Sequence, residues 1–144
     1  MVLDTKRKQV DFALTPVAKR LINVNPNTIS WIGLLLAFLS GFVLYMSPNN
    51  KWLLLLGAAL VIVSGYFDAL DGKIAKLSRA GREADFAKES RMGDYLDHVF
   101  DRYADMFMIG GVAVSAWCDP YIGLLALVGV LLTSYMGTQA QAVG

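Results

Sequence analysis

Residues 68–76 read Asp68-Ala69-Leu70-Asp71-Gly72-Lys73-Ile74-Ala75-Lys76, and residues 93–101 answer with Gly93-Asp94-Tyr95-Leu96-Asp97-His98-Val99-Phe100-Asp101. Each stretch sits at the end of an otherwise apolar segment. Asp68 and Asp71 are spaced i,i+3, and Asp97 and Asp101 i,i+4, so in helices each pair shares one face. Two such faces brought together crowd four carboxylates, which cannot all stay ionised without compensation. A divalent cation is the simplest compensation, because hard cations take carboxylate oxygens at short range. Acids beside apolar spans are costly and mark function. The spacing predicts a metal site built from Asp68, Asp71, Asp97 and Asp101.

Working outward, composition places these acids in a membrane setting. The 144 residues are 56% hydrophobic with a mean hydropathy of +0.48, more apolar than a soluble domain of this size. A net charge of +1 gives no reason to expect nucleic acid as a partner. The single cysteine, Cys118, excludes an intrachain disulfide and a cysteine-based metal site, and reads as a small apolar filler. The first 24 residues lack the unbroken apolar core of a cleavable signal peptide.

Residues 1–27 form a basic amphipathic segment. Lys6, Arg7, Lys8, Lys19 and Arg20 alternate with Val10, Phe12, Leu14, Val17 and Leu21, with Pro16 starting or interrupting a helix. This predicts an interfacial helix lying on the headgroups. Residues 28–144 read as the transmembrane domain. Asn27 or Thr28 suits an N-cap, and Thr28 to Ser47 carries no charge over a length that spans ~30 Å of hydrocarbon. After the turn at Ser47-Pro48-Asn49-Asn50, Trp52 to Phe67 runs on into the Asp68 motif. Its small residues Gly57, Ala58, Ala59, Ser64 and Gly65 suit close helix packing. Residues 76–93 are a polar connection, Tyr95 to Trp117 begins acidic and turns apolar, and Tyr121 to Tyr135 is apolar again. The expectation is an all-α membrane bundle with four transmembrane helices. Lys73, Lys76, Arg79, Arg82, Lys88 and Arg91 lie on the side of the N-terminal arm, against Lys51 alone opposite, so the N-terminus and the aspartates are predicted to be cytoplasmic.

Glycines beside the acids point to phosphate chemistry. Gly72, with Ala75 one turn on, bares a helix face to a bulky ligand, and Gly93 does the same one turn before Asp97. Lys73, Lys76 and Arg102 offer positive charge to phosphate oxygens. A bound cation neutralises a diphosphate, and a spare aspartate can take a proton from an attacking hydroxyl. Asp105 extends the acidic stripe or pairs with Arg102. His98 points away from Asp97 and reads as packed or interfacial. Trp31, Trp52, Trp117, Met106 and Met108 read as lipid-facing or interfacial.

At these residues the sequence resembles the CDP-alcohol phosphotransferases, whose signature is D-x-x-D-G-x-x-A-R, a spacer, then G-x-x-x-D-x-x-x-D. Here Asp68, Asp71, Gly72, Ala75, Lys76, Gly93, Asp97 and Asp101 fill those positions, with lysine for arginine at Lys76. Pro26-Asn27 and Ser30 resemble the family's opening of the first membrane helix. The wording around Phe67–Gly72, Gly93–His98 and Thr133–Gln141 resembles the archaeal branch that makes ether-lipid inositol phosphates. The resemblance implies a six-helix enzyme, of which four helices are present, acting as a homodimer on the cytoplasmic side. It implies transfer of a lipid phosphate from a CDP-linked lipid to an alcohol or phosphorylated alcohol, with release of CMP. Asp68, Asp71, Asp97 and Asp101 would hold one or two Mg²⁺ or Mn²⁺ ions, and Asp101 would be the general base. Gly72, Ala75 and Gly93 would line the CDP pocket, with Lys76 near its phosphates or ribose.

The connection from Leu77 to Met92 is about twice the family's usual length and predicts extra structure there. Gly137 and Gln139 stand where many relatives that take phosphorylated acceptors carry basic residues. A polyprenyl-type transferase also sets paired aspartates and Mg²⁺ on a diphosphate, but it does not require Gly72 or Gly93. A cation transporter places its acids near the bilayer midplane, not at helix ends.

Overall fold

The computed structural model describes residues 14–21, 24, 26–79 and 87–143, with backbone alone at 26, 78–79, 87–94 and 141. The described residues form helices and turns, with no strand. Residues 14–20 (α1) are followed by α2 (Pro26–Met46), a 3-10 turn (Ser47–Asn49), α3 (Lys51–Arg79), α4 (Ala87–Ala113) and α5 (Pro120–Val143). The first apolar helix starts at Pro26, ahead of the predicted caps, because proline's fixed φ suits a first helical position that needs no N–H. The helix of the Asp68 motif does run unbroken from the apolar segment through Lys76.

Three helices are long and apolar enough to cross a membrane: α2, α3 and α5. The fourth predicted span falls on α4, whose charges run from Lys88 to Asp105 and leave too short an apolar stretch to qualify among the described residues.

α2 and α3 form an antiparallel hairpin with a repeated contact. Ser40 Oγ donates to the Gly57 carbonyl at 3.1 Å, and Ser64 Oγ donates to the Gly33 carbonyl at 2.9 Å. On each helix the serine follows the glycine by two turns, so the same Gly-to-Ser pattern serves both directions of the hairpin. Small residues let the backbones approach, and the hydroxyls then reach across without leaving a polar group stranded in hydrocarbon. The hairpin is closed by Asn50, whose side chain accepts from the Trp52 N–H at 2.9 Å and so caps α3. Asp119 caps α5 in the same way, accepting from Tyr121 N at 2.9 Å. The buried Ser47 hydroxyl accepts from Trp117 Nε1 at 2.9 Å, tying the two turns together. Cys118, beside this tie, is half-buried.

α4 lies along the other side of α2, in the same direction. Phe38 meets Phe107 edge-on at 5.2 Å and Trp31 meets Phe100 at 4.9 Å, two turns apart on both helices. One turn past the Phe38–Phe107 contact the backbones of α2 and α4 touch at glycine. A Cβ on Gly41 would strike the Phe107 carbonyl, and one on Gly111 would strike Gly41. α5 packs back along α4, with Gly123 against Ala113.

α1 turns its apolar face to protein. Leu14 and Ala18 are buried with Ile29 of α2 and with Leu70 and Ile74 of α3, while Lys19 and Arg20 stay exposed. The predicted interfacial helix, over its described part, thus props the ends of α2 and α3 where the Asp68 motif begins. Its basic residues Lys6, Arg7 and Lys8 lie outside the described residues, as does the middle of the long 77–92 connection.

Candidate active site

The aspartates meet because α2 holds α3 on one side and α4 on the other. Leu70 and Ile74 anchor the inner face of α3 in the small core. That register turns Asp68 and Asp71 towards α4. On α4, Phe100 is fixed against Trp31, and Asp97 and Asp101 flank it by one turn before and one residue after. Oxygens of Asp68, Asp71 and Asp97 lie within 4.8 Å of one another. Asp101 adjoins Asp68.

All four acids line one cavity of about 310 Å³ between α2, α3 and α4. Asp71 is the deepest, at 4% exposure, and its Oδ1 is buried with no hydrogen-bond partner. Ser30 and the backbone of Gly72 interact with the same carboxylate. A buried carboxylate oxygen without a donor is expensive unless something positive meets it. Three converging carboxylates are the oxygen-only donor set that hard divalent cations take. These residues fit a metal ion.

Gly72, Ala75, Lys76 and His98 are not part of the cavity wall, whereas Arg102 and Asp105 line it. A Cβ built on Gly72 meets nothing within 4 Å, so that face is bare. Ala75 is half-buried one turn on and Lys76 is exposed. Gly93 lies in α4, and its surroundings fall outside what is described. Arg102 pairs with Asp105 at 3.2 Å and approaches Asp101 at 3.9 Å, which is one of the two readings given for Asp105. His98 is exposed.

The sequence reading missed part of the wall. Ser30, Gly33 and Gly65 line the cavity together with the acids. Gly65 was expected to pack a helix closely, yet a Cβ there meets nothing within 4 Å. Its neighbour Ser64 makes the helix contact instead, which leaves Gly65 facing the opening. The signal available was its place about one turn before Asp68, three residues ahead where Gly93 stands four ahead of Asp97.

The model of the CDP-alcohol phosphatidyltransferases matches residues 23–143, taking in every helix that contributes to this cavity. The chain belongs to the CDP-alcohol phosphatidyltransferase family. The family consists of metal-dependent phosphotransferases of phospholipid biosynthesis. It is 26% identical over 145 residues to an archaetidylinositol phosphate synthase of Pyrococcus horikoshii, covering 99% of this chain and 70% of that one. To the protein of that name from Methanothermobacter thermautotrophicus it is 33% identical over 109 residues, 74% of this chain and 52% of the relative. A bifunctional IPC transferase and DIPP synthase of Thermococcus kodakarensis is 28% identical over 125 residues, covering 84% of this chain and 26% of the relative. The chain thus spans between about a quarter and seven tenths of these curated relatives' lengths. No solved structure matches it at a significant level. A polyprenyl-type transferase or cation transporter is not favoured by a family match over this whole region.

Proposed function

We propose that this phosphatidyltransferase-family chain moves a lipid phosphate from a CDP-linked lipid to an alcohol, releasing CMP, at the cytoplasmic face of a membrane. The observation that carries the reading is the convergence of Asp68, Asp71, Asp97 and Asp101 on one cavity, with the Asp71 Oδ1 buried and unpartnered. Mg²⁺ or Mn²⁺, as one or two ions, would be held by Asp68, Asp71 and Asp97, with Asp101 beside them. Such an ion supplies charge neutralisation to the diphosphate and its leaving oxygen.

The residues then divide the work. Asp101 accepts the proton of the acceptor hydroxyl. The acceptor oxygen bonds to the lipid-side phosphorus, the bond from that phosphorus to the bridging oxygen breaks, and CMP leaves with the electron pair. Gly72, Ala75 and Gly93 keep the nucleotide face bare, and Lys76 reaches its phosphates or ribose as a point charge in place of arginine's fork. Two relatives are named archaetidylinositol phosphate synthases, which supports an inositol phosphate as acceptor and an ether lipid as donor.

The same reading carries the wider architecture. α4 crosses as a fourth span once its acids are covered by metal and substrate, in a bundle of six helices that works as a homodimer. Residues 1–27 serve as the interfacial segment and 28–144 as the transmembrane domain. The distribution of lysine and arginine supports a cytoplasmic N-terminus.

The test is CMP release from CDP-lipid by membranes containing the protein, with Mg²⁺ and a phosphorylated alcohol. The expected result is CMP formed in step with lipid product, stopped by chelator and restored by added metal. Asp68→Asn and Asp97→Asn should abolish it with the helical circular dichroism unchanged. Full turnover in either variant would sink the proposal.

A further inference from the structure

The cavity contains a residue that the metal reading leaves without a task. Arg102 is the only cationic side chain lining it among the described residues. Its Nη1 donates to Asp105 Oδ2 at 3.2 Å, and its Nη2 lies 3.9 Å from Asp101 Oδ2. Asp105 is one turn further along α4, where the helix becomes apolar, and it lines the same cavity.

An arginine and an aspartate at this depth are both costly, and mutual neutralisation alone does not require them to open onto a cavity. The guanidinium carries five N–H donors in a planar fork, and the Asp105 bond engages one of them. The side chain is 37% exposed and that of Asp105 is 40%, so the pair is accessible from the cavity. Four carboxylates dominate the rest of the polar wall, and an anionic substrate entering there meets Arg102 as its cation. Arginine's fork matches phosphate oxygens in geometry as well as charge.

We propose that Arg102 binds a phosphate oxygen of a substrate in this cavity, and that Asp105 is the positioning residue that holds the guanidinium there. This rests on the phosphotransfer reading above. Two sources carry the same chemistry: the lipid-side phosphate of the donor, or a phosphate borne by the acceptor.

The experiment is equilibrium binding to the purified full chain in detergent with Mg²⁺. The ligands are CDP-lipid in mixed micelles, a phosphorylated alcohol, and the same alcohol without phosphate. Arg102→Gln should weaken one phosphate ligand by about 10- to 100-fold, the loss expected for a hydrogen bond between charged groups. Arg102→Lys should lose less, and Asp105→Asn should weaken the same ligand by a smaller factor. A loss confined to CDP-lipid assigns the donor phosphate. A loss confined to the phosphorylated alcohol, and absent for the plain alcohol, assigns the acceptor phosphate. Parent affinity for every ligand in Arg102→Gln overturns the proposal, as does a parent that binds neither phosphate ligand. Should Arg102→Gln aggregate, parent affinity in both Arg102→Lys and Asp105→Asn overturns it equally. A parent that binds both ligands but releases no CMP defeats the phosphotransfer reading and leaves the Arg102 assignment standing.

Discussion

Asp101 and Gly72 are where single side chains separate chemistry from architecture. Asp101 adjoins Asp68 and lies one turn, ~6 Å, beyond Asp97 along α4. Asp101→Asn keeps its shape and removes the proton acceptor, so turnover should fall by about 10²–10⁴, the range for loss of a general base. CDP-lipid affinity should survive, because Asp68, Asp71 and Asp97 still converge. Joint loss of rate and donor affinity would make Asp101 chiefly a ligand. Gly72 tests the nucleotide face. Since an added Cβ there meets no protein atom, Gly72→Val should fold with an unchanged melting temperature and bind CDP-lipid more weakly. Equal donor affinity in variant and parent would put the nucleotide elsewhere. These acids were legible in the sequence because i,i+3 and i,i+4 spacing gathers each pair on a face, whatever the helix packs against. Ser30, Gly33 and Gly65 were not. Their place in the wall depends on the register between helices, and a glycine leaves the same blank in sequence whether it faces a helix or a void.

That register is set between elements, by contacts that local pattern does not reveal. The paired Gly-to-Ser hydrogen bonds align α2 with α3, and the two aromatic contacts align α2 with α4. Both alignments are needed to bring Asp68 and Asp71 to Asp97. Gly41 and Gly111 are the tightest point of the second alignment, where backbone meets backbone. Gly111→Leu should force α4 away from α2 and lower the melting temperature in detergent by more than the same substitution at Gly129, which has nothing within 4 Å of its Cβ position. Equal melting of the two variants would mean that this crossing does not hold the bundle. The boundaries of α3 were readable because its apolar run passes into the Asp68 motif without a break. The length of α4 was less so, because its charged first turns belong to the polar connection by composition and to the helix by structure.

Across the whole molecule, a small protein core supports a site while most apolar surface faces outward. Residues such as Leu125, Ile122 and Met136 leave α5 uncovered except along α4, a surface suited to hydrocarbon or to further helices. The membrane setting was therefore plain from composition, whereas the way three helices close on one cavity was not. Among the described residues Asp71 is the one left strained without a cation, since its Oδ1 is buried and unpartnered. In chelator, Asp71→Asn should melt no lower than the parent, and added metal should raise the melting temperature of the parent alone, because only a ligand of the folded state stabilises it. The most direct measurement is the electron paramagnetic resonance of Mn²⁺ titrated into purified protein, parent against Asp71→Asn. The parent should remove Mn²⁺ from the free-ion signal to saturation at one or two ions per chain, and Asp71→Asn should leave that signal close to its protein-free intensity. Equal Mn²⁺ uptake by the two proteins, or none by the parent, would contradict the account.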